Sequence, residues 1–267
     1  MKNKFEFSSE NIAVSYLSET DSFDSLIGDH CHDRYEITYL VSASGRYMIE
    51  GSEHKVTNGS LCFITPMSYH KVYLDTASQC EAYTLYFTKS ALSDTVATML
   101  ASITDKSESY GRFYSREHIS ESLISCFERF EVLEKLSLPQ REAYMQAILQ
   151  EIIILLSAAE GEEITSAEGE LGARVARYLN SNFKKNISLD KLARRFFVSK
   201  YYLCRAFKSY SGISVHAYIN HKRITYAKSL IESGVTASGA ADQVGFGDYS
   251  AFYRAYVKLV GKSPTSD

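Results

Sequence analysis

The hydrophobic pattern changes its period along the chain. From about residue 12 to residue 90, short apolar or alternating runs (EITYLV, GRYMIEG, HKVTNGSLCFITP, CEAYTLYFT) are broken by Gly, Asn-Gly and Pro. A period of two, interrupted at close spacing, predicts many short strands closing into a barrel or jelly roll. Asn58-Gly59 marks a hairpin or tight turn. From about 117 to 159 the period becomes helical. In EHISESLISCFERFEVLEKL, Ile119, Leu123, Ile124, Phe127, Phe130 and Leu133 recur at three- and four-residue steps. Leu138-Pro139 ends this first helix, over 117–136, and Pro139 suits the first turn of the next, over 140–158. The IIILL run near the end of that second helix leaves no wet side, which predicts burial between the barrel and a second subunit. Residues 160–170, EGEEITSAEGE, are acidic and poor in large apolar groups, which predicts an interdomain linker. From 171 onward the pattern is helical again.

Charge divides the chain at the same place. Residues 171–267 carry 16 Lys and Arg against 5 Asp and Glu, whereas residues 1–170 carry 13 against 27. The overall net charge of −3 therefore hides a basic module carried by an acidic one. Such a module meets a polyanion, and nucleic acid leads because no membrane-type amphipathic anchor accompanies the charge. No run of about 18 apolar residues appears, which excludes a spanning helix. The opening MKNKFEFSSENIAV has no apolar h-region. The five cysteines, at 31, 62, 80, 126 and 204, show no CxxC spacing. Together these predict a soluble intracellular protein with reduced thiols and no disulfide framework.

The basic half holds the most specific pattern. In SLDKLARRFFVSKYYLCRAFKSYS, Ser188 caps a short helix with Leu189, Leu192 and Ala193 inward, and Ser199 caps a second with Leu203, Ala206 and Phe207 inward. Two short helices across a tight turn form a helix-turn-helix, and Gly212 ends it as a C-terminal cap. A longer helix from Ser214 follows, and then a second copy. TASGAADQVGF leads into GDYSAFYRAYVKLVGKSP, with Asp248 capping and Phe252, Ala255 and Tyr256 inward.

The run from Leu171 to Pro264 resembles the tandem helix-turn-helix domain of AraC/XylS-type bacterial transcription regulators. SLDKLA, VSKYYLCRAFK and above all VGFGDYSAFYRAYVKLVGKSP carry the resemblance. It implies an α+β protein of two domains: residues 1–160 a cupin-like barrel with two dimerisation helices, 161–170 a linker, and 171–267 an all-α tandem helix-turn-helix. It also implies two recognition helices reading successive major-groove segments of double-stranded DNA about one helical turn apart. Base-facing candidates are Tyr201, Cys204 and Arg205, then Tyr249, Ser250 and Arg254, with arginine able to pair bidentately with guanine. Lys200, Lys208 and Lys258 are phosphate contacts by the same correspondence, against the plain alternative of solvated surface charges. The chain departs from the family pattern at Ala237 and Ala240, where a large aliphatic residue is usual. Val257 likewise stands where Lys is typical. These departures predict a loosely packed second motif that contributes less affinity.

The barrel poses a separate question. Residues 30–36, HCHDRYE, and His70 in TPMSYHKVYL match the HxH…E opening and later P-x-x-x-H of the cupin-type sensor domain, with Gly45, Gly59 and Pro66 at turns. Alternate residues of a strand share a face, so His30, His32 and Glu36 could line one cavity. Three readings stay open. In one, His30, His32, Arg34, Glu36, Tyr39, Tyr47 and His70 hydrogen-bond a small polar ligand such as a sugar. In another, His30, His32, Glu36 and His70 hold a metal, although the Pro66-to-His70 spacing is a residue shorter than in cupin metalloenzymes. In the third, the histidines are satisfied polar residues at a barrel mouth. The resemblance favours a dimeric, ligand-sensing activator of the bacterial cytoplasm that meets RNA polymerase, needs no cofactor and is no enzyme. A cupin metalloenzyme fused to a DNA-binding module is the alternative.

One outcome separates the two motifs. In an operator titration at fixed salt, Arg205→Ala is expected to abolish specific binding more completely than Arg254→Ala, and equal losses contradict that ranking.

Overall fold

The alternating runs become β1 (Lys4–Ser8), β2 (Ile12–Glu19), β3 (Tyr35–Ser42), β4 (Gly45–Ile49), β5 (Ser52–Val56), β6 (Ser60–Ile64), β7 (His70–Leu74) and β8 (Cys80–Phe87). Later in the chain β9 (Ser109–Tyr114) and β10 (Glu162–Thr165) join them. The computed structural model describes residues 4–19, 31–75, 80–104, 109–165 and 171–265. These described residues form two units, one of those within 1–29 and 34–165, the other of those within 30–33 and 166–267.

In the first unit the strands form two antiparallel sheets, in the orders β1-β2-β8-β3-β6-β9-β10 and β5-β4-β7. β3 lies between β8 and β6, which pair both its edges, and packing on both its faces makes its sequence read as a nearly unbroken apolar run. Its odd residues Ile37 and Tyr39, with Leu61, Phe63 and Leu85, face a helical layer of α1 (Asp94–Thr104), α2 (Glu121–Glu128) and α3 (Leu138–Ala158). On the opposite face Leu40, Cys62, Ile64 and Ala82 meet Tyr47, Ile49, Val56 and Val72 of the smaller sheet. The interior between the sheets is therefore filled by side chains, as in a small barrel.

Several sequence expectations shift. The helix expected over 117–136 is α helix only across Glu121–Glu128 and continues as 3-10 turns across Arg129–Lys135. Ser120 sets its start by accepting from Leu123 N at 3.2 Å. The tighter coil stacks Phe130 and Leu133, three residues apart, on one fully buried side. α3 starts where Ser137 N donates to Gln140 Oε1 at 2.9 Å, with Pro139 in the first turn. Within IIILL, Ile152, Ile153 and Leu156 are fully buried, while Ile154 is exposed. The stretch from 89 to 116, outside both patterned regions, supplies α1 and β9.

The expected linker over 161–170 is corrected at its start. Residues 162–165 form β10 on β9, with Ile164 opposite Gly111 and fully buried. One apolar residue suffices to seat an edge strand, and Glu162 and Glu163 keep that edge charged. Residues 166–170 lie outside the described residues.

The second unit is helical throughout: α4 (Leu171–Asn182), α5 (Leu189–Arg195), α6 (Lys200–Ser211), α7 (Val215–Glu232), α8 (Ala237–Gln243) and α9 (Tyr249–Val260). No described helix is long and apolar enough to cross a membrane.

Phe127 joins sheet to helices: it is fully buried and its ring stacks on Tyr39 at 5.0 Å. Phe127→Ala is expected to cost about 3–5 kcal/mol in urea denaturation. A loss below about 1 kcal/mol would contradict this packing.

Candidate functional site

Local sequence sets both recognition helices in the same way. Ser188 Oγ accepts from Lys191 N at 3.2 Å and Ser199 Oγ from Tyr202 N at 3.2 Å. In the second copy Thr236 Oγ1 accepts from Gly239 N at 3.2 Å, and Asp248 accepts from Ser250 N and Ala251 N at 3.3 and 2.8 Å. Gly212 and Gly261 close α6 and α9 at φ of +79° and +81°, a conformation that glycine adopts without a Cβ clash.

These ends fix which side chains face out. On α6, Leu203, Phe207 and Tyr210 are buried, and on α9 Phe252 and Tyr256. Lys200, Tyr201, Arg205 and Lys208 are exposed, as are Tyr249, Ser250, Arg254 and Lys258, while Cys204 is half-buried. Tyr202 and Tyr253 are also exposed and escaped the sequence analysis. The internal repeat would have found Tyr253, because superposing Ser199 on Asp248 and Gly212 on Gly261 places it at the position of Cys204.

The positive charge of this half is partly structural. Arg195 lies over the Tyr178 ring at 4.4 Å, Lys184 over Tyr226 at 3.7 Å and Arg174 over Phe196 at 5.6 Å. Arg223 donates from Nε to Phe183 O at 2.7 Å and from Nη2 to Lys185 O at 2.8 Å, and burial lowers its pKa. Lys200 Nζ lies 2.7 Å from Asp190 Oδ1, and this contact holds the Asp190 carboxyl below its usual range. A phosphate at Lys200 must therefore compete with Asp190.

The second motif is not loosely packed. Ala240 is buried and Ala237 partly so, and both belong to one apolar cluster with Ala241, Phe246, Phe252 and Tyr256. Phe246 and Phe252 have ring centroids 5.5 Å apart, as do Phe252 and Tyr256. Of the two reasons for ranking Arg205 above Arg254, only the apolar Val257 remains.

In the barrel, the inner face of β3 brings together a buried polar cluster. Glu36 is 2% exposed; its Oε1 accepts from Thr38 Oγ1 at 2.6 Å and from Tyr47 OH at 3.0 Å. His70 Nε2 lies 3.1 Å from Glu36 Oε2, and His70 Nδ1 lies 2.9 Å from Ser68 O. Burial, the largest single effect, works to lower the His70 pKa, but the charge and hydrogen bond of Glu36, the Ser68 carbonyl and the Glu50 charge together raise it. Burial, and then the same carboxylate, push Tyr47, Tyr86 and Cys62 well above their usual values.

The other expected ligand residues are placed differently. Tyr39 is on the opposite face of β3, packed on Phe127, so it is withdrawn from the ligand set. Arg34 donates from Nη2 to Glu10 O at 3.0 Å and is half-buried. His32 is half-buried and falls in the stretch grouped with the second unit. His30 lies outside the described residues. A histidine the sequence analysis passed over, His54 on β5, is buried on the inner face with its ring 5.3 Å from Phe113. The alternation of SEHKV, which sends His54 and Val56 to one side, would have revealed it.

A filled barrel with an inward carboxylate–imidazole cluster, together with two capped helix-turn-helix motifs, defines a two-domain DNA-binding regulator. Residues 12–172 match the family model described as AraC-like ligand binding domain, and residues 192–266 match that of a helix-turn-helix domain. The chain belongs to the AraC family of transcriptional regulators. It is similar to the HTH-type transcriptional activator RhaS of Klebsiella pneumoniae (strain 342), 23% identical over 248 residues covering 90% of this chain and 87% of that one. It is also similar to the uncharacterized HTH-type transcriptional regulator YbfI of Bacillus subtilis (strain 168), 25% identical over 228 residues covering 83% and 80%. A crystal structure of ToxT from Vibrio cholerae O395 aligns with 99% of this chain and 95% of its own, at 12% identity and a TM-score of 0.42.

The raised His70 pKa fixes the sign of a pH effect. A histidine whose folded pKa exceeds its unfolded value contributes stability that is complete below the ordinary 6.5 and is lost as pH rises through the folded value. The stability difference between wild type and His70→Gln should therefore be largest below pH 6.5 and shrink above it. A difference that grows with pH contradicts the Glu36–His70 pairing.

Proposed function

We propose that the protein is a homodimeric, sequence-specific activator that acts in the bacterial cytoplasm, with a barrel that binds a small polar molecule such as a sugar. The observation that carries this is the repeated capped helix pair, whose exposed Tyr201, Arg205, Tyr249, Ser250 and Arg254 lie on α6 and α9. Arg205 and Arg254 pair with guanine edges, and Lys200, Lys208 and Lys258 meet phosphates. Dimerisation runs through 117–158, supported by Val132, Leu138 and Ile154, each a large hydrophobic residue exposed on that segment. As an activator it also meets RNA polymerase.

Glu36, Tyr47 and His70 are the groups a ligand would engage in the barrel, with His30 and His32 retained from the sequence pattern. Their chemistry, one carboxylate with phenol and imidazole donors, suits hydroxyl-rich ligands. Binding would shift populations between two states of the regulator and does not involve catalysis.

The test is thermal shift on the full chain with a panel of sugars and metabolites, followed by operator titration with any compound that shifts it. At a hundredfold excess over Kd a ligand adds about 2.7 kcal/mol to stability, a clear rise in Tm. It should also change operator affinity. A panel with no responder, or a responder that leaves operator affinity unchanged, sinks the sensing claim.

A further inference from the structure

The turn between α5 and α6 carries a side chain that the fold does not use. Phe197 is 95% exposed and sits at φ +56°, left-handed backbone that a bulky side chain rarely adopts. The second motif supplies an internal comparison. There the corresponding position is Gly245, at φ +86°. Gly245 N donates to Asp242 O at 3.1 Å and Phe246 N to Ala241 O at 3.0 Å. In the first motif Phe197 N donates to Arg194 O at 3.3 Å and Val198 N to Ala193 O at 3.0 Å, the same turn.

At Gly245 an added Cβ would lie 2.0 Å from Lys184 O, so glycine is required there. At position 197 the same turn would be easier with glycine, yet the chain places a phenyl ring there and leaves it in solvent. Strain of this kind, on a residue that packs against nothing, points to contact with another molecule. Beside the ring lies an open surface groove lined by Asp190, Arg194, Val198 and Lys200.

We propose that Phe197 is a DNA-contacting residue, its ring packing on deoxyribose and thymine methyl groups at the groove edge beside α6. This rests on the DNA-binding function proposed above. Two observations select DNA over a protein surface. Phe197 stands three residues before Lys200, the first residue of α6, and a recognition helix meets DNA through its N-terminal end. The groove also presents Arg194, a cation suited to a phosphate beside an apolar contact, and Lys200, which a phosphate would have to draw away from Asp190. The first motif then gains apolar readout that Gly245 cannot give the second.

The test uses the full chain and operator DNA, with anisotropy titrations across a salt series. Phe197→Gly removes the ring and the strain together, so Tm should hold or rise while operator Kd rises about five- to tenfold. The slope of log Kd against log salt should not change, because an apolar contact releases no counter-ions, whereas Arg194→Ala should reduce it by about one. Phe197→Asn, which also tolerates left-handed backbone, should behave like the glycine variant. Unchanged Kd in both variants overturns the proposal, whether or not transcription falls, since a loss of transcription alone would place Phe197 on a protein surface. A lower Tm in both variants overturns it too, by making the ring structural. A wild type without sequence preference would instead overturn the DNA-binding function on which the proposal rests.

Discussion

A carboxylate enclosed between two β-sheets is tolerable only if its oxygens are held. Glu36 satisfies this through Thr38 on its own strand, Tyr47 on β4 and His70 on β7. β4 and β7 belong to the smaller sheet and β3 to the larger, so this one cluster ties the two sheets together across the interior. Removing one partner from such a buried pair typically costs about 3–5 kcal/mol, because the other charge is left uncompensated. The same tie suits a sensor. A ligand competing for Glu36, Tyr47 or His70 changes contacts on both sheets at once, which gives it different affinities for different arrangements of the barrel.

The DNA-binding half solves a different problem, holding two short helices in a fixed pose with little core of their own. Serine, threonine and aspartate caps fix where α5, α6, α8 and α9 begin, and Gly212 and Gly261 fix where the recognition helices stop. Aromatic rings then fill what remains: Phe207 meets Tyr218 edge-on at 5.3 Å, and Phe252 sits among Phe246, Tyr249 and Tyr256. With the ends and the inner face fixed, the outward face is left to tyrosines, arginines and lysines. Cations committed to rings and backbone carbonyls brace the scaffold, so the net positive charge overstates what is offered to phosphate.

Much of this was legible in the sequence, because caps, helix-stop glycines and buried faces follow from local rules. Ser188, Ser199, Asp248 and Gly212 stand in the roles their chemistry implied. The barrel's strand order was not legible, since it depends on pairing between distant segments such as β2 with β8 and β6 with β9. Ile164 shows the limit from another side: in an acidic, linker-like string, one buried residue decides that a strand forms. Tyr39 stands three residues from Glu36 along an unbroken strand and therefore faces the other way. The small residues at Ala237 and Ala240 implied a loose helix only while the rings of Phe246, Phe252 and Tyr256 were considered apart from them.

The central claim is that both recognition helices read DNA. Hydroxyl-radical footprinting of the full chain on a selected operator tests it directly, with methylation interference on the same fragment. The account predicts, for each protomer, two interference sites in successive major-groove segments on one face of the duplex, about 10–10.5 base pairs apart. Interference in a single segment would contradict the role given to α9. Protection without interference at any base would contradict sequence-specific reading altogether.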